Sequence, residues 1–253
     1  MPGQAATHAE HVMGTVVSFA VVPGGLAATE TRAAVETACA GLHRADTVFS
    51  TWDAGSPVSR LRRGEATLGT MPPEVAEVLD LCELARTASH GWFDPWAMPG
   101  GIDPTGLVKG WAVERAADVL RRAGVAAALV NGGGDLTAFG SPGPGQPWLA
   151  GIRHPWRADA LACIVEVRSA VATSATYERG GHLIDPFAGR PAVGVASATV
   201  TGPSLAMADA LATALAVGGD DALAAIGGIE GYEGYLIRAD GSEADSGDIR
   251  FVK

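Results

Sequence analysis

The sequence predicts an α+β fold, and three observations carry that expectation. Residues 12–22 (VMGTVVSFAVV) are a valine-rich run stopped by Pro23-Gly24-Gly25, which reads as a buried strand. Residues 73–89 read as an amphipathic helix: Pro73 opens it, Glu74 and Glu77 are early, Val75, Val78, Leu79 and Cys82 are apolar, and Gly91 follows its end. Residues 204–219 (SLAMADALATALAVGG) read as another helix, capped by Ser204 and closed by Gly218-Gly219, and the rest of the chain is organised around it.

The chain has 253 residues, enough for one large domain (residues 1–253) or two lobes, and 47% hydrophobic content is ample for a core. A formal charge of -10 argues against nucleic acid or an anionic membrane as the main partner. Cys39, Cys82 and Cys163 are odd in number, widely spaced and embedded in apolar segments, which points to reduced, buried thiols rather than a disulfide framework or a zinc site. The opening MPGQAATHAEH has neither a basic n-region nor an apolar h-region, and no later run is expected to span a bilayer. The expectation is a cytoplasmic protein, or an exported one if a leader precedes this sequence.

Taken in order, Met13-Gly14-Thr15 interrupts the first strand, as a bulge or as a place where a ligand or another backbone comes close. Residues 29–44 read as an amphipathic helix. Trp52, beside Ser50 and Asp53, is either a core residue or a stacking surface with a polar rim. Residues 56–63 are a short polar segment. Three triplets of one pattern follow: Phe93-Asp94-Pro95, Ile102-Asp103-Pro104 and Ile184-Asp185-Pro186. Proline pushes its predecessor into extended geometry, so each Asp is held at a preset angle, for turn initiation or for a site.

The second triplet leads into a helix from Thr105 to about Gly124 with Lys109 in its first turn. Lysine opposes the helix dipole there while free N–H groups attract anions, so Lys109 either snorkels to solvent or faces an anion. Residues 125–130 read as a strand, followed by Asn131-Gly132-Gly133-Gly134-Asp135. No G-x-G-x-x-G opens a helix and no P-loop pattern occurs; a tight hairpin ending in a solvated Asp135 is the plainer reading, with glycines that permit close approach of a ligand. Residues 141–146 read as a Pro/Gly loop, and residues 161–167 and 170–174 as strands. After a turn at 177–179, His182 sits among glycines near Asp185, where an imidazole can take a proton from a substrate hydroxyl; a single His is more often structural. The other five histidines have no such setting. Residues 195–201 form a strand, 220–226 a short helix, and 235–237 and 250–252 closing strands.

On the helix of residues 204–219, Asp209 is the only charge, and its neighbours on that face are Leu205, Ala206, Thr213 and Ala216. The face is therefore expected to be covered. A covered carboxylate and a hydroxyl at i, i+4 offer two hard oxygens of the kind magnesium accepts; alternatively Asp209 caps a neighbouring loop and Thr213 bonds back to its own helix.

MGT (residues 13–15), FSTW with the following SPVSRL, GWFDP, IDPTGLVKGWAV, LVNGGGDL, VATSATYERGGHLIDPFAGRP and ADALATAL together resemble the motifs of the ApbE-type flavin transferases, the FAD:protein FMN transferase family, in the family's order and over nearly the whole chain. The resemblance implies an α+β fold with a mixed, mainly antiparallel sheet, packed helices and a flavin cleft between two lobes. It implies FAD as substrate with its pyrophosphate on Mg2+, held by Asp209, Thr213 and a backbone carbonyl near Gly106. It implies transfer of FMN to a Thr or Ser hydroxyl of a target protein with release of AMP, and His182 as the base. By the same matching, Met13, Trp52, Asp94, Asp103, Lys109, Gly133, Asp135, Ser174 and Asp185 line the FAD site. The chain departs from the pattern at Ala175 (usually Gly), at Pro104-Thr105 (usually an apolar residue and Gly) and at Arg62 (commonly Asn). Two other readings stand beside transfer: hydrolysis of FAD to FMN and AMP, and flavin binding without turnover.

Overall fold

Met13 and Gly14 turn the chain instead of bulging it. In the computed structural model, which describes residues 6–175 and 183–252, β1 (Ala6–Val12) and β2 (Thr15–Val22) form an antiparallel hairpin in which Val12 faces Thr15. Met13 and Gly14 have φ of 53° and 69°. Two successive left-handed residues make the mirror-image turn whose twist matches that of paired strands. The expected bulge at this place is thus a hairpin turn, and the valine run is β2 alone, with Val17, Phe19 and Val21 buried.

The chain continues through α1 (Ala28–Phe49), α2 (Pro57–Arg62), a 3-10 turn (Leu68–Thr70), α3 (Pro73–Ala88) and α4 (Thr105–Arg122). Strands β3 (Ala127–Gly132), β4 (Asp135–Phe139), β5 (Trp148–His154), β6 (Arg157–Val167), β7 (Ala170–Ala175), β8 (Ile184–Asp185), β9 (Arg190–Pro191) and β10 (Val195–Gly202) follow. Helix α5 (Leu205–Gly227) and strands β11 (Glu233–Arg238), β12 (Glu243–Asp245) and β13 (Phe251–Val252) complete it. The predicted helix of residues 29–44 runs on to Phe49, whose side chain is buried, and the predicted strand of residues 161–167 is the second half of a longer β5–β6 hairpin.

Eight strands form one sheet in the order β1-β2-β3-β4-β7-β10-β11-β12, with every described ladder antiparallel. This is the α+β class the sequence predicts. One face of the sheet, with Val17, Phe19, Val130, Ala172, Val200 and Leu236, packs on α4 and α5 and, at its β1 edge, on α1, while α3 packs against α4 and α5. The alternate residues of β7 and β11, Val171, Tyr235 and Ile237, meet a three-stranded sheet of order β13-β6-β5 on the opposite face. Period-two alternation thus feeds two cores from the same strands.

Helix α5 joins the two helices expected at residues 204–219 and 220–226 across a kink at Gly219, where φ is 55° and ψ is -127°. By length and mean hydropathy it would suffice to cross a membrane, contrary to the expectation that no run would. Its apolar residues are used within the fold, since Leu205, Leu211, Leu215 and Ile226 are fully buried in the larger core. Helix α4 approaches it closely because residue 110 is glycine: a Cβ there would stand 2.4 Å from the Leu205 carbonyl oxygen and 2.8 Å from the Asp209 Cβ.

Candidate active site

Asp209 lies where α4 meets α5. It is 4% exposed, as the covered face of its helix predicts. Its Oδ2 accepts a 2.8 Å hydrogen bond from the Gly110 N–H. In a regular helix that donor serves the carbonyl four residues back, which is Gly106. Drawing that donor toward Asp209 leaves the Gly106 carbonyl less fully engaged within its helix. One turn back along α4 and one turn on along α5, Gly106 faces Thr213: a Cβ on Gly106 would stand 3.4 Å from Thr213 Oγ1. Two i, i+4 pairs, Gly106/Gly110 on α4 and Asp209/Thr213 on α5, therefore line one seam.

The sheet supplies the other wall. Thr213 Oγ1 lies 3.3 Å from Ser174 Oγ on β7. Asp135, at the start of β4, is 1% exposed; its Oδ1 accepts from the Thr173 N–H at 3.0 Å and its Oδ2 meets the Lys109 ammonium. Lys109 thus faces an anion, and that anion is a side chain of the protein itself. The β3–β4 connection is the tight hairpin expected, turned by Gly133 and Gly134 at φ of 68° and 107°, but Asp135 is not solvated as the hairpin reading had it. Pairing of β4 between β3 and β7, with α4 packed across it, covers the carboxylate. Gly133 is constrained by contact, since a Cβ there would strike Thr15 Oγ1 at 2.5 Å.

Burial raises the Asp209 carboxyl well above the usual carboxylate range, and the neighbouring Asp135 adds to the shift; Lys109 and the Gly110 N–H oppose it. The local charge count explains the direction. Among the described residues, the two buried carboxylates have one ammonium beside them, Lys109, and the deficit is of the sign that a bound dication would fill.

The other candidates fall into two groups. Asp94 accepts from the N–H groups of Trp96 and Ala97, Asp103 from the N–H and hydroxyl of Thr105, and Asp185 from the N–H groups of Phe187 and Ala188. The repeated Asp-Pro device is thus a repeated Asx turn. Asp103 does more, because its Oδ2 accepts at 2.7 Å from Arg62, one of the departures from the family pattern. Arg62, Asp103 and Trp52, which is 96% exposed, line an open hollow of about 370 Å3. Trp52 is therefore not a core residue. Met13 is half-buried against the larger core at the β1–β2 turn. His182 lies outside the described residues.

Sequence reasoning missed Gly110, whose missing side chain and shared N–H build the seam. A glycine one turn after Gly106 on a helix was the available signal. It also missed a cluster on β1 and α1: His8, Glu10, Cys39 and His43 come together although neither the histidines nor Cys39 had a site-like setting in sequence.

The fold and the seam define an α+β protein with an acidic, hydroxyl-lined helix junction suited to a hard dication. The family model described as "ApbE family" matches residues 13–100 and 97–236, and the chain belongs to that family. Among curated relatives, a Rhodobacter capsulatus protein described as FAD:protein FMN transferase is 36% identical over 129 residues, covering 47% of this chain and 24% of the relative. A Salmonella typhimurium protein of the same description is 31% identical over 151 residues, covering 55% of this chain and 43% of the relative. The matched part thus spans less than half of either relative. The crystal structure of the ApbE protein from Thermotoga maritima is similar in fold, with a TM-score of 0.84 at 23% identity over 96% of this chain and 97% of that one.

Proposed function

We propose that this chain transfers FMN from FAD to a Thr or Ser hydroxyl of a target protein, with Mg2+ required and AMP released. The observation that carries the reading is the charge deficit at the α4–α5 seam, where Asp209 and Asp135 are both buried and, among the described residues, have only the Lys109 ammonium beside them. Asp209, Thr213 and the Gly106 carbonyl present hard oxygens there, the donor type that suits magnesium. When bound, Mg2+ supplies neutralisation of the charge that develops on phosphate oxygens.

The protein's own groups do the rest. Lys109 keeps the Asp135 carboxylate neutralised, so that Asp209 is left to face the ion. Ser174 positions the Thr213 hydroxyl from β7. The exposed face of Trp52 beside Arg62 and Asp103 offers a ring and a charged rim to FAD. The acceptor hydroxyl oxygen forms a bond to the FMN phosphorus as the bond to the AMP oxygen breaks. His182 takes the hydroxyl proton.

The test is incubation with FAD, Mg2+ and a peptide bearing an acceptor Thr, followed by mass spectrometry. A peptide gaining the mass of FMN, with AMP formed in equal amount, is the expected result. AMP and free FMN without a modified peptide would assign hydrolysis, and bound FAD with neither product would assign a binding protein.

A further inference from the structure

We infer that His8, Glu10, Cys39 and His43 form a second metal site, for a borderline dication such as zinc, which pins the edge strand β1 to helix α1. The placement follows from two periodicities. His8 and Glu10 are two apart on β1 and lie opposite Phe19 and Val17 of β2, so they share the face that packs on the helices. Cys39 and His43 are four apart on α1 and share one side of it. The hairpin brings the two pairs together.

Ligand atoms of His8, Glu10 and Cys39 all lie within 4.8 Å of one another. Donors around a tetrahedral zinc with bonds of ~2.0–2.3 Å stand roughly 3.5 Å apart, so a small contraction closes the set. Glu10 already joins the imidazoles: His8 Nε2 is 3.3 Å from one carboxylate oxygen and His43 Nε2 is 2.8 Å from the other. His43, outside that group of three, is tied to it through Glu10 and swings in as the fourth donor.

The donor set decides the metal. Two imidazoles, a thiolate and a carboxylate favour zinc or a similar transition ion, whereas the hard oxygens at the α4–α5 seam favour magnesium. The two sites therefore sort their ions by chemistry. A surface ion pair of Glu10 with two histidines would not need the sulfur, yet Cys39, 7% exposed, sits beneath them. The gain is structural, because β1 is an edge strand whose residues are largely exposed. An ion gripping both β1 and α1 holds that edge down.

Cobalt(II) is the probe, added to the full chain without flavin. The expected result is one equivalent bound with a thiolate-to-cobalt charge-transfer band, displaced by zinc. The band disappears in Cys39→Ser and persists in Asp209→Asn. His43→Ala, at an exposed position, keeps the fold and weakens binding at least about tenfold. Zinc also raises the unfolding temperature of the wild type and of Asp209→Asn, but not of His8→Ala. Absence of the thiolate band at saturating cobalt, or its survival in Cys39→Ser, overturns the site.

Discussion

Asp209 is the residue on which the proposed chemistry converges. Its carboxylate, 4% exposed, accepts from the Gly110 N–H and lies beside Asp135, which is 1% exposed and paired with the Lys109 ammonium. Asp209→Asn keeps the shape and the Gly110 hydrogen bond while removing the charge. Flavin transfer to a peptide should fall by at least ~100-fold, beyond what loss of an outer-shell partner costs a metal site, with the fold intact by circular dichroism. Lys109→Met removes the cation instead. The cost should be about 1–3 kcal/mol of stability, below the ~3–5 kcal/mol for a fully buried pair, because the Lys109 side chain is 33% exposed. Magnesium should restore part of that loss in thermal unfolding. A Lys109→Met protein as stable as the wild type would show that the two carboxylates do not depend on this ammonium.

At the scale of elements, two glycines in helices predict opposite outcomes. Gly110→Ala drives a Cβ into the Leu205 backbone carbonyl, which no rotamer relieves, and should destabilise by roughly 1–3 kcal/mol or more. Gly41, at an exposed position of helix α1 with nothing within 4 Å of a built Cβ, should gain ~0.4–1 kcal/mol as alanine. Thermal unfolding of the two variants reads both signs. Sequence showed α3 and the covered face of α5 because each depends on local periodicity and one misplaced charge. It did not show β1, since ATHAEHV is a polar edge strand with no apolar alternation, and Met13 is not a residue that announces a left-handed turn. The burial of Asp135 was equally hidden. That carboxylate is covered by strands and a helix distant in the chain, and its local string of glycines reads as an exposed hairpin.

Across the whole molecule, the sheet feeds two cores, and the described motif residues are divided among the seam of α4 and α5 with its sheet wall, the Trp52 hollow, the Asx turns and the β1–β2 turn at Met13. The order of the family motifs was legible in sequence; their division among these places required the fold. The thiols follow their burial: Cys82 is pushed up to about 12, and Cys39 and Cys163 to about 11, with burial the first cause in each case. At pH 8 a thiol at about 11 is ionised to roughly one part in a thousand, and only the thiolate reacts. Metal-free native protein should therefore resist alkylation at pH 8, Cys82 most of all, while unfolding in denaturant makes all three reactive; rapid labelling of native Cys82 would contradict its burial. The central claim is that Asp209, Thr213 and the Gly106 carbonyl grip a dication beneath FAD. Anomalous diffraction from crystals soaked with FAD and Mn2+ tests it most directly. The account predicts a peak about 2.0–2.2 Å from an Asp209 carboxylate oxygen and the Thr213 hydroxyl; ordered FAD with its manganese held away from both side chains would contradict it.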